Sequence, residues 1–238
     1  MGSPRGIRFT EKLLREVLVG PGLRALTRLT VEGAEHVPAT GPVIIASNHL
    51  SFIDSMIIPI AAGRPVGFLG KSEYFTGTGP GGWATRTWFT AFGTIPVDRE
   101  DARAAARSLE LAEAHLATGG AFGIYPEGTR SRDGRLHRGR TGVARLALAS
   151  GATLVPCALV GTDRVQPPGA KGVRPAKVAV RFAPPVDVAA LERQFVKGKL
   201  LRAITDSVMD AIAERSPQER SAIYASDVGN DGDGATGG

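Results

Sequence analysis

The amino-acid sequence predicts a single α/β domain in which helices flank a largely parallel sheet. Short apolar, β-branched segments alternate with stretches rich in strong helix formers, which is typical of parallel βαβ units. The chain has 238 residues, 42% of them hydrophobic, which suffices for one large core. We expect an amphipathic helical element over residues 1–30, the α/β domain over residues 31–215 and a disordered tail over residues 216–238, whose end is rich in glycine and acidic residues.

An amphipathic pattern opens the chain. Phe9, Leu13 and Val17 recur every four residues and predict the apolar stripe of a helix. The Gly-Pro-Gly at residues 20–22 ends this pattern, and leucines spaced three apart predict a second short helix over residues 23–29. Arginine and lysine lie among the apolar residues. Two interpretations therefore remain open: these helices pack on the core with a solvated basic face, or they lie on an anionic membrane surface.

The remaining strands and helices follow from local patterns. Six segments are typical of strands, because they are short, apolar and mostly bounded by Gly, Pro or Ser. They are GPVIIAS (41–47), PVGFLGK (65–71), GTIPVDR (93–99), AFGI (121–124), TLVPCALVG (153–161) and AKVAVRFAPPV (176–186). Helices are predicted from Ser51, a candidate N-cap with Asp54 in the first turn, and over residues 101–120, 139–152 and 187–214.

The charge of the chain favours anionic partners. Lys and Arg number 29 against 23 Asp and Glu, and basic chains bind nucleic acid, anionic lipid or phosphorylated substrates. A nucleic-acid-binding protein is thus an alternative of a different class, although we find no basic, aromatic-rich strand of the kind that stacks bases. The single cysteine, Cys157, excludes an intrachain disulfide. No apolar run approaches the roughly 20 residues that cross a bilayer.

The stretch ASNHLSFIDS places a base and an acid at the end of a predicted buried strand. His49 follows the strand directly, at the edge where α/β folds usually bind ligands. Asp54, five residues later, is expected to fold back onto the imidazole, fix its tautomer and stabilise the imidazolium. A capping box formed by Ser51 and Asp54 explains the acid but leaves His49 unexplained. The pattern by itself is common by chance.

Further candidates for binding a phosphorylated substrate follow other strands. The motif YPEGTRS supplies a carboxylate, a glycine that allows close backbone approach, and the guanidinium of Arg130. Arg99 ends the segment GTIPVDR, and Lys71 lies in GKSEYF. Each cation taken alone is also explained as a solvated charge. The predicted phosphate- and glycerol-binding residues are Lys71, Arg99, Glu127, Gly128, Thr129 and Arg130.

Taken together, these motifs resemble the glycerolipid acyltransferase family, above all the lysophosphatidate acyltransferases. NHLSFID, GTIPVDR, YPEGTRS and LVPCALVG are similar to its four sequence blocks and occur in the same order, across roughly residues 30–165. Tyr125 stands where phenylalanine is usual, and Pro156 matches. The resemblance implies an α/β domain with a largely parallel mixed sheet, a helical membrane-docking element at the N-terminus, and His49 and Asp54 in the catalytic places.

The function that the resemblance implies is acyl transfer in phospholipid biosynthesis. The donor would be acyl-CoA or acyl-carrier protein, and the acceptor the 2-hydroxyl of 1-acylglycerol 3-phosphate, giving phosphatidate. The enzyme would be peripheral, on an anionic membrane at the cytoplasmic face of the cell membrane, without nucleic acid as a partner. No cofactor or metal is expected. Because a thioester is already activated, no covalent enzyme intermediate is required.

Several alternatives remain at this point. The acceptor could be another lysophospholipid or a glycolipid. Ser51 is a rival nucleophile, disfavoured because it lies only two residues from His49. Glu127 and His137 could join a His/Asp metal site, although no compact ligand cluster is visible. His115 and His137 are expected on the surface.

Overall fold

The computed structural model describes residues 20–71, 76–79, 81–83, 90, 93–97, 104–167, 170 and 172–228. Within these residues, seven strands form one sheet in the order β1-β7-β6-β2-β5-β3-β4. The strands are Thr30–Glu32 (β1), Val43–Ser47 (β2), Val66–Lys71 (β3), Thr94–Val97 (β4), Ala121–Ile124 (β5), Thr153–Val160 (β6) and Ala179–Phe182 (β7). All six predicted strand segments are present, and β1 is an addition.

The sheet is largely parallel and mixed, as predicted. Strands β2 to β6 all run in one direction. Strand β7 pairs with β6 in the antiparallel sense, and β1 pairs with β7 in the parallel sense. Strand β2 lies near the centre and is buried over its whole length, which explains its continuous apolar sequence. The carboxyl ends of the five parallel strands consequently meet at one edge of the sheet.

Helices cover both faces of the sheet. They are Gly20–Thr27 (α1), Asp54–Ala62 (α2), Ala104–Ala117 (α3), Gly142–Ser150 (α4), Thr162–Val165 (α5), Val188–Gln194 (α6) and Lys197–Ala213 (α7). The single helix predicted over residues 187–214 is wrong, because Phe195 and Val196 adopt extended backbone and divide it. The side chain of Asp187 caps the first part by accepting a hydrogen bond from the Ala190 amide at 2.8 Å.

Two apolar clusters, one on each face of the sheet, form the core. One gathers Val43, Ile45 and Phe68 with helix α2, and the other gathers Ile44 and Phe122 with helices α3, α4 and α7. Alternate residues of β2 enter opposite clusters, as the pleat of a strand requires.

A glycine in β5 shapes the first cluster near the carboxyl edge of the sheet. A Cβ atom at Gly123 would lie 2.0 Å from the Phe68 ring, so glycine at this position lets that ring cross the strand. The Phe68 ring in turn stacks against Tyr125, with centroids 5.6 Å apart.

The described part of the N-terminal element packs on the core. Leu23, Leu26 and Leu29 contact the first apolar cluster, and Arg24 donates a hydrogen bond to the Ile60 carbonyl at 2.8 Å. These leucines therefore agree with the interpretation in which the N-terminal helices pack on the core. The predicted stripe of the first helix lies within residues 1–19, outside the described residues. None of the helices in the described ranges is both long and apolar enough to cross a bilayer.

Residues 216–226, here called the C-terminal strap, are ordered against the domain. The Leu136 amide donates to the Glu219 carbonyl at 2.9 Å, and the Ser221 amide donates to the Leu136 carbonyl at 2.8 Å. The Arg138 amide donates to the Ile223 carbonyl at 3.0 Å. The prediction that disorder begins at residue 216 is thus wrong for the strap. The glycine-rich composition behind that prediction lies mainly in residues 229–238, outside the described residues.

Candidate active site

The predicted base and acid meet at the carboxyl edge of the sheet. His49 Nδ1 lies 2.8 Å from Asp54 Oδ2, and the imidazole is 17% exposed while the carboxylate is fully buried. A carboxylate only accepts hydrogen bonds, so Nδ1 carries the proton and the lone pair lies on Nε2. The pair that the sequence predicted is therefore assembled in the geometry that a general base requires.

Asp54 also organises the turn between β2 and α2. Its Oδ2 accepts hydrogen bonds from the Leu50 amide at 2.7 Å and the Ser51 amide at 2.8 Å, in addition to the imidazole. Its other oxygen, Oδ1, is buried and has no hydrogen-bond partner within the described ranges. One carboxylate oxygen thus fixes both the backbone of the turn and the ring of His49.

The prediction that Ser51 caps helix α2 is wrong. The helix begins at Asp54, and the Ser51 hydroxyl donates to the Gln166 carbonyl at 3.0 Å. Ser51 is 1% exposed. A hydroxyl that is buried and engaged with a backbone carbonyl is poorly suited to attack a substrate, so this geometry disfavours the rival nucleophile.

Tyr125 stacks on the imidazole of His49, a role that the sequence did not indicate. Its ring lies parallel to that of His49, with centroids 3.8 Å apart and planes 8° apart. Its hydroxyl shares a 2.8 Å hydrogen bond with Ser55. Burial raises the pKa of Tyr125 well above its ordinary value, and the Asp54 charge acts in the same direction. A neutral phenol therefore supports the ring of His49. The sequence showed only that a tyrosine stands at this position, where the resemblance implied phenylalanine.

Glu127 supports backbone, whereas the sequence suggested that it contacts glycerol. Its Oε1 accepts from the His49 amide at 3.3 Å, and its Oε2 accepts from the His137 amide at 2.9 Å. The side chain is 1% exposed. Burial raises the pKa of Glu127 to about 7, although both amides favour the charged form. These bonds make Glu127 a positioning residue for the main chain of His49.

The titration of Glu127 predicts that stability falls as pH rises. The ordinary pKa is 4.5 and the folded value is about 7, so between them the folded protein holds a proton that the unfolded chain has released. The contribution of protonated Glu127 to the free energy of unfolding is fully present below pH 4.5 and is lost by about pH 7. The difference is roughly 3 kcal/mol. Melting temperatures of wild type and Glu127→Gln at pH 5 and 7.5 check this, because the fall should be smaller in the variant.

The matched control for this measurement is Glu219→Gln. The Glu219 side chain is 76% exposed, so its substitution should leave the wild-type pH dependence unchanged. If the melting temperature of Glu127→Gln fell between pH 5 and 7.5 by as much as that of wild type, groups other than Glu127 would cause the pH dependence.

The predicted phosphate-binding residues are only partly described. Gly128, Thr129 and Arg130 are exposed in the loop after β5, directly beside the buried Glu127. Lys71 is the last residue of β3, at the same edge of the sheet, and Arg99 lies outside the described residues. Gly128 has a φ of 79°, a left-handed conformation that favours glycine, and its amide donates to the Tyr125 carbonyl at 2.9 Å.

Two other histidines differ from expectation. His137 is 2% exposed, so the prediction that it lies on the surface is wrong; its Nε2 lies 2.9 Å from Asp133 Oδ1. His115 is half-buried and its Nε2 lies 3.0 Å from the Ala121 carbonyl. Across the described parts of the chain, no group of three or more His, Cys, Asp or Glu side chains is arranged to hold a metal ion.

A cavity of about 560 Å³ opens beside the loop that carries Gly128. Helices α3 and α4 and strand β5 enclose it. Its apolar wall includes Leu109, Phe122 and Ile124, and two guanidinium groups, Arg140 and Arg145, also line it. The cavity thus combines an apolar interior with positive charge, next to the loop that follows β5.

Comparisons with known proteins identify the family of the chain. A family model described as Acyltransferase matches residues 28–160. The chain is 31% identical over 166 residues to the chloroplastic 1-acyl-sn-glycerol-3-phosphate acyltransferase LPAT1 of Arabidopsis thaliana, covering 69% of this chain and 44% of the relative. It is 26% identical over 182 residues to the 1-acyl-sn-glycerol-3-phosphate acyltransferase of Borreliella burgdorferi, covering 76% of this chain and 70% of the relative.

The fold is also found in a solved structure. The 1-acyl-sn-glycerophosphate acyltransferase PlsC of Thermotoga maritima superposes with a TM-score of 0.64 at 22% identity, covering 90% of this chain and 84% of that one. The chain spans about half the length of the plant relatives it matches.

Proposed function

The chain belongs to the acyltransferase family, and from this premise we propose that it moves a fatty acyl group from an acyl thioester to the 2-hydroxyl of 1-acylglycerol 3-phosphate. The product would be phosphatidate, an intermediate of phospholipid biosynthesis. The observation that carries the proposal is the 2.8 Å contact between His49 Nδ1 and Asp54 Oδ2, which leaves Nε2 as the base. The names of the relatives support the choice of acceptor.

The proposed reaction is a direct transfer. His49 Nε2 takes the proton of the 2-hydroxyl while that oxygen attacks the thioester carbonyl carbon. The C–S bond then breaks, and the leaving thiolate takes the proton back from the imidazolium. Asp54 stabilises the imidazolium between the two steps. A positioned base typically contributes about 10²–10⁴-fold to such a rate.

A covalent acyl-enzyme is not needed. The thioester is already activated, and the Ser51 hydroxyl is buried and donates to a backbone carbonyl. No other nucleophile is part of the proposal. The enzyme's further contribution would be to hold donor and acceptor together, which in ideal cases contributes roughly 7–11 kcal/mol.

The acceptor's phosphate is proposed to bind the cations at the carboxyl edge of the sheet. Arg130 is exposed in the loop after β5, and Lys71 ends β3 at that edge. Arg99 is proposed as a third phosphate-binding cation, because it ends the motif GTIPVDR. Gly128 and Thr129 would contact the glycerol backbone. The nearby cavity, apolar inside and lined by two arginines, suits a substrate that joins an acyl chain to an anionic group.

Arg130→Ala is predicted to weaken binding of the acceptor more than that of the donor. A charge-assisted hydrogen bond contributes about 1.5–3 kcal/mol, so the KM for 1-acylglycerol 3-phosphate should rise roughly 10- to 100-fold. The KM for the acyl donor should change little. Arg132→Ala is the matched control, since Arg132 is an exposed arginine two residues along the same loop. Equal KM values for acceptor in wild type and Arg130→Ala would remove Arg130 from the site.

The protein is proposed to act as a peripheral enzyme on the cytoplasmic face of an anionic membrane. The leucines at residues 23–29 pack on the core, so docking would rest on the residues before them. Acyl-CoA and acyl-carrier protein present the same pantetheine thioester. We therefore propose either as the acyl donor, and the experiment below compares their rates of transfer.

The test is acyl transfer by the purified full chain. The protein is incubated with palmitoyl-CoA or palmitoyl-acyl-carrier protein and a panel of lyso-acceptors, and the products are identified by mass spectrometry. We expect phosphatidate from 1-acylglycerol 3-phosphate at the highest kcat/KM. Faster acylation of a lysophospholipid with a different head group, or of a glycolipid, would replace the acceptor in the proposal. Absence of transfer to every acceptor would overturn it.

A further inference from the structure

The C-terminal strap contacts the two segments that surround the candidate base. It lies beyond residues 28–160, the part of the chain that the acyltransferase family model matches. Its backbone pairs with the loop between β5 and α4, with a parallel bridge between Leu136 and Arg220. Two guanidinium groups of that loop, Arg138 and Arg140, lie 5.3 and 5.1 Å from the centroid of the Tyr224 ring. The strap and the loop therefore form one packed unit.

Gln218 links this unit to Asn48, in the segment between strand β2 and His49. Its Oε1 accepts a hydrogen bond from Asn48 Nδ2 at 2.6 Å, and its Nε2 donates to the Gly134 carbonyl at 2.9 Å. Asn48 precedes His49 directly. One amide side chain thus joins the end of β2 to the loop that follows β5.

Asn48 is itself held in one position. Its Oδ1 accepts from the Leu159 amide at 2.7 Å, and its Nδ2 donates to the Leu159 carbonyl at 2.9 Å. The residue is fully buried, and Gln218 receives its remaining donor capacity. Loss of Gln218 would leave a buried N–H partly unsatisfied immediately before the candidate base.

The loop held by Gln218 also contacts His49 directly. The Ser131 amide donates to the His49 carbonyl at 2.8 Å, and the His49 amide donates to Glu127 at 3.3 Å. Both partners lie in the loop between β5 and α4, which Gln218 anchors at Gly134. Hydrogen bonds on either side of His49 therefore depend on the loop that the strap secures.

We propose that Gln218 is a positioning residue for the reaction, which fixes the main chain of His49 through Asn48 and through the loop at Gly134. The expected change in kcat rests on the proposed function, whereas the expected change in the backbone of His49 rests on the contacts described above. A base displaced by a fraction of an ångström loses alignment with the hydroxyl, although it stays chemically intact. The effect should therefore fall on kcat and only slightly on KM.

The test compares three full-length variants. Gln218→Met keeps the length of the side chain but removes both hydrogen bonds. Gln218→Glu keeps an acceptor for Asn48 and removes the donor to Gly134. Glu219→Gln is the matched control in the same strap, because its backbone bond is retained and its 76% exposed side chain gives up a surface ion pair with Arg135 at 3.5 Å. Exposed pairs of this kind contribute little to stability. Activities are measured well below the melting temperature of each variant, where all are folded.

We expect Gln218→Met to lower kcat about tenfold with less than about a twofold change in either KM. Gln218→Glu should give a kcat between those of Gln218→Met and wild type, because it keeps the bond to Asn48 but places a carboxylate oxygen against the Gly134 carbonyl. Glu219→Gln should match wild type. Wild-type kcat in Gln218→Met would overturn the inference. So would a decrease of kcat in Glu219→Gln equal to that in Gln218→Met, because the strap would then act only through general stability.

Hydrogen exchange separates this inference from the proposed function. The amides of His49, Leu50, Ser51 and Ser131 are all hydrogen-bonded in the site. Peptides covering residues 47–52 and 129–138 should exchange faster in Gln218→Met than in Glu219→Gln. If wild type transfers no acyl group, the proposed function fails, and faster exchange still supports the positioning role. Equal exchange in the two variants would overturn it.

Discussion

His49→Ala is expected to lower kcat by about 10²–10⁴-fold while the protein remains folded. The side chain supplies the base through Nε2, because Nδ1 is committed to Asp54 at 2.8 Å. No second imidazole contacts Asp54 among the residues that the structure describes. The reaction would then depend on water as base, with binding and orientation of the substrates retained. The KM values for donor and acceptor should therefore change much less than kcat.

Stability should fall only modestly in this variant. The substitution removes the stacking of the imidazole on Tyr125, and such aromatic pairs contribute about 0.5–1.5 kcal/mol. It also removes one of the three hydrogen bonds to the buried Asp54 Oδ2, while the two from the turn amides remain. The hydrogen bonds of the His49 amide and carbonyl belong to the backbone and remain. A small decrease in the melting temperature is expected.

His115→Ala is the matched control. That imidazole is also partly buried and contacts a backbone carbonyl, but it lies on helix α3 away from Asp54. Its removal should lower the melting temperature and leave kcat near the wild-type value. Turnover of His49→Ala within a few-fold of wild type would exclude His49 as the base and, with it, the proposed mechanism.

The contacts of the His49–Asp54 pair could be predicted because they depend on local sequence. The two side chains are five positions apart in the sequence, and the end of a buried parallel strand defines where they lie. The strands themselves were predicted because a central parallel strand is apolar on both faces. The prediction for Ser51 was wrong, because the local sequence allows either Ser51 or Asp54 to bond the backbone amides at the start of the helix. The Asp54 carboxylate accepts the turn amides, and the serine hydroxyl instead contacts Gln166, 115 residues away.

The contacts that local sequence does not specify are the long-range ones. Glu127 was assigned to substrate because its motif lies at the sheet edge, yet its oxygens contact backbone amides of residues 49 and 137. Burial is what decides between these roles, and it depends on how the loop between β5 and α4 folds back. The C-terminal strap was missed for a similar reason. Its polar composition is typical of a tail, and its order comes from backbone pairing with Leu136 and Arg138.

Asp54→Asn is the second variant with a large expected effect, and the structure specifies its cause. The carboxylate oxygen Oδ2 receives three hydrogen bonds, two of them from the amides of Leu50 and Ser51. If the new amide nitrogen occupied this place, it would face two N–H donors, which is strongly unfavourable. The amide oxygen is therefore expected to take the position of Oδ2, still accepting from the turn and from His49 Nδ1.

It follows that the tautomer of His49 is retained in Asp54→Asn, whereas the negative charge is removed. The imidazolium formed during transfer is then no longer stabilised by a buried carboxylate, and kcat should fall by about 10²–10³-fold. The amide NH₂ would point toward the buried position of Oδ1, which has no partner among the described residues, so the melting temperature should also fall. Asp54→Ala should be still less stable, because both turn amides lose their acceptor.

A double variant distinguishes this account from an independent role of Asp54. If the carboxylate acts only through the imidazole, His49→Ala combined with Asp54→Asn should be about as slow as His49→Ala alone, since residues that act as a unit are not additive. Multiplied losses would mean that Asp54 contributes to the rate by a route other than the base. Nitrogen-15 NMR of the histidine rings provides the independent measurement. We expect a proton on Nδ1 of His49 in both wild type and Asp54→Asn. A proton on Nε2 in the variant would show that the wrong tautomer, and not the missing charge, slows the reaction.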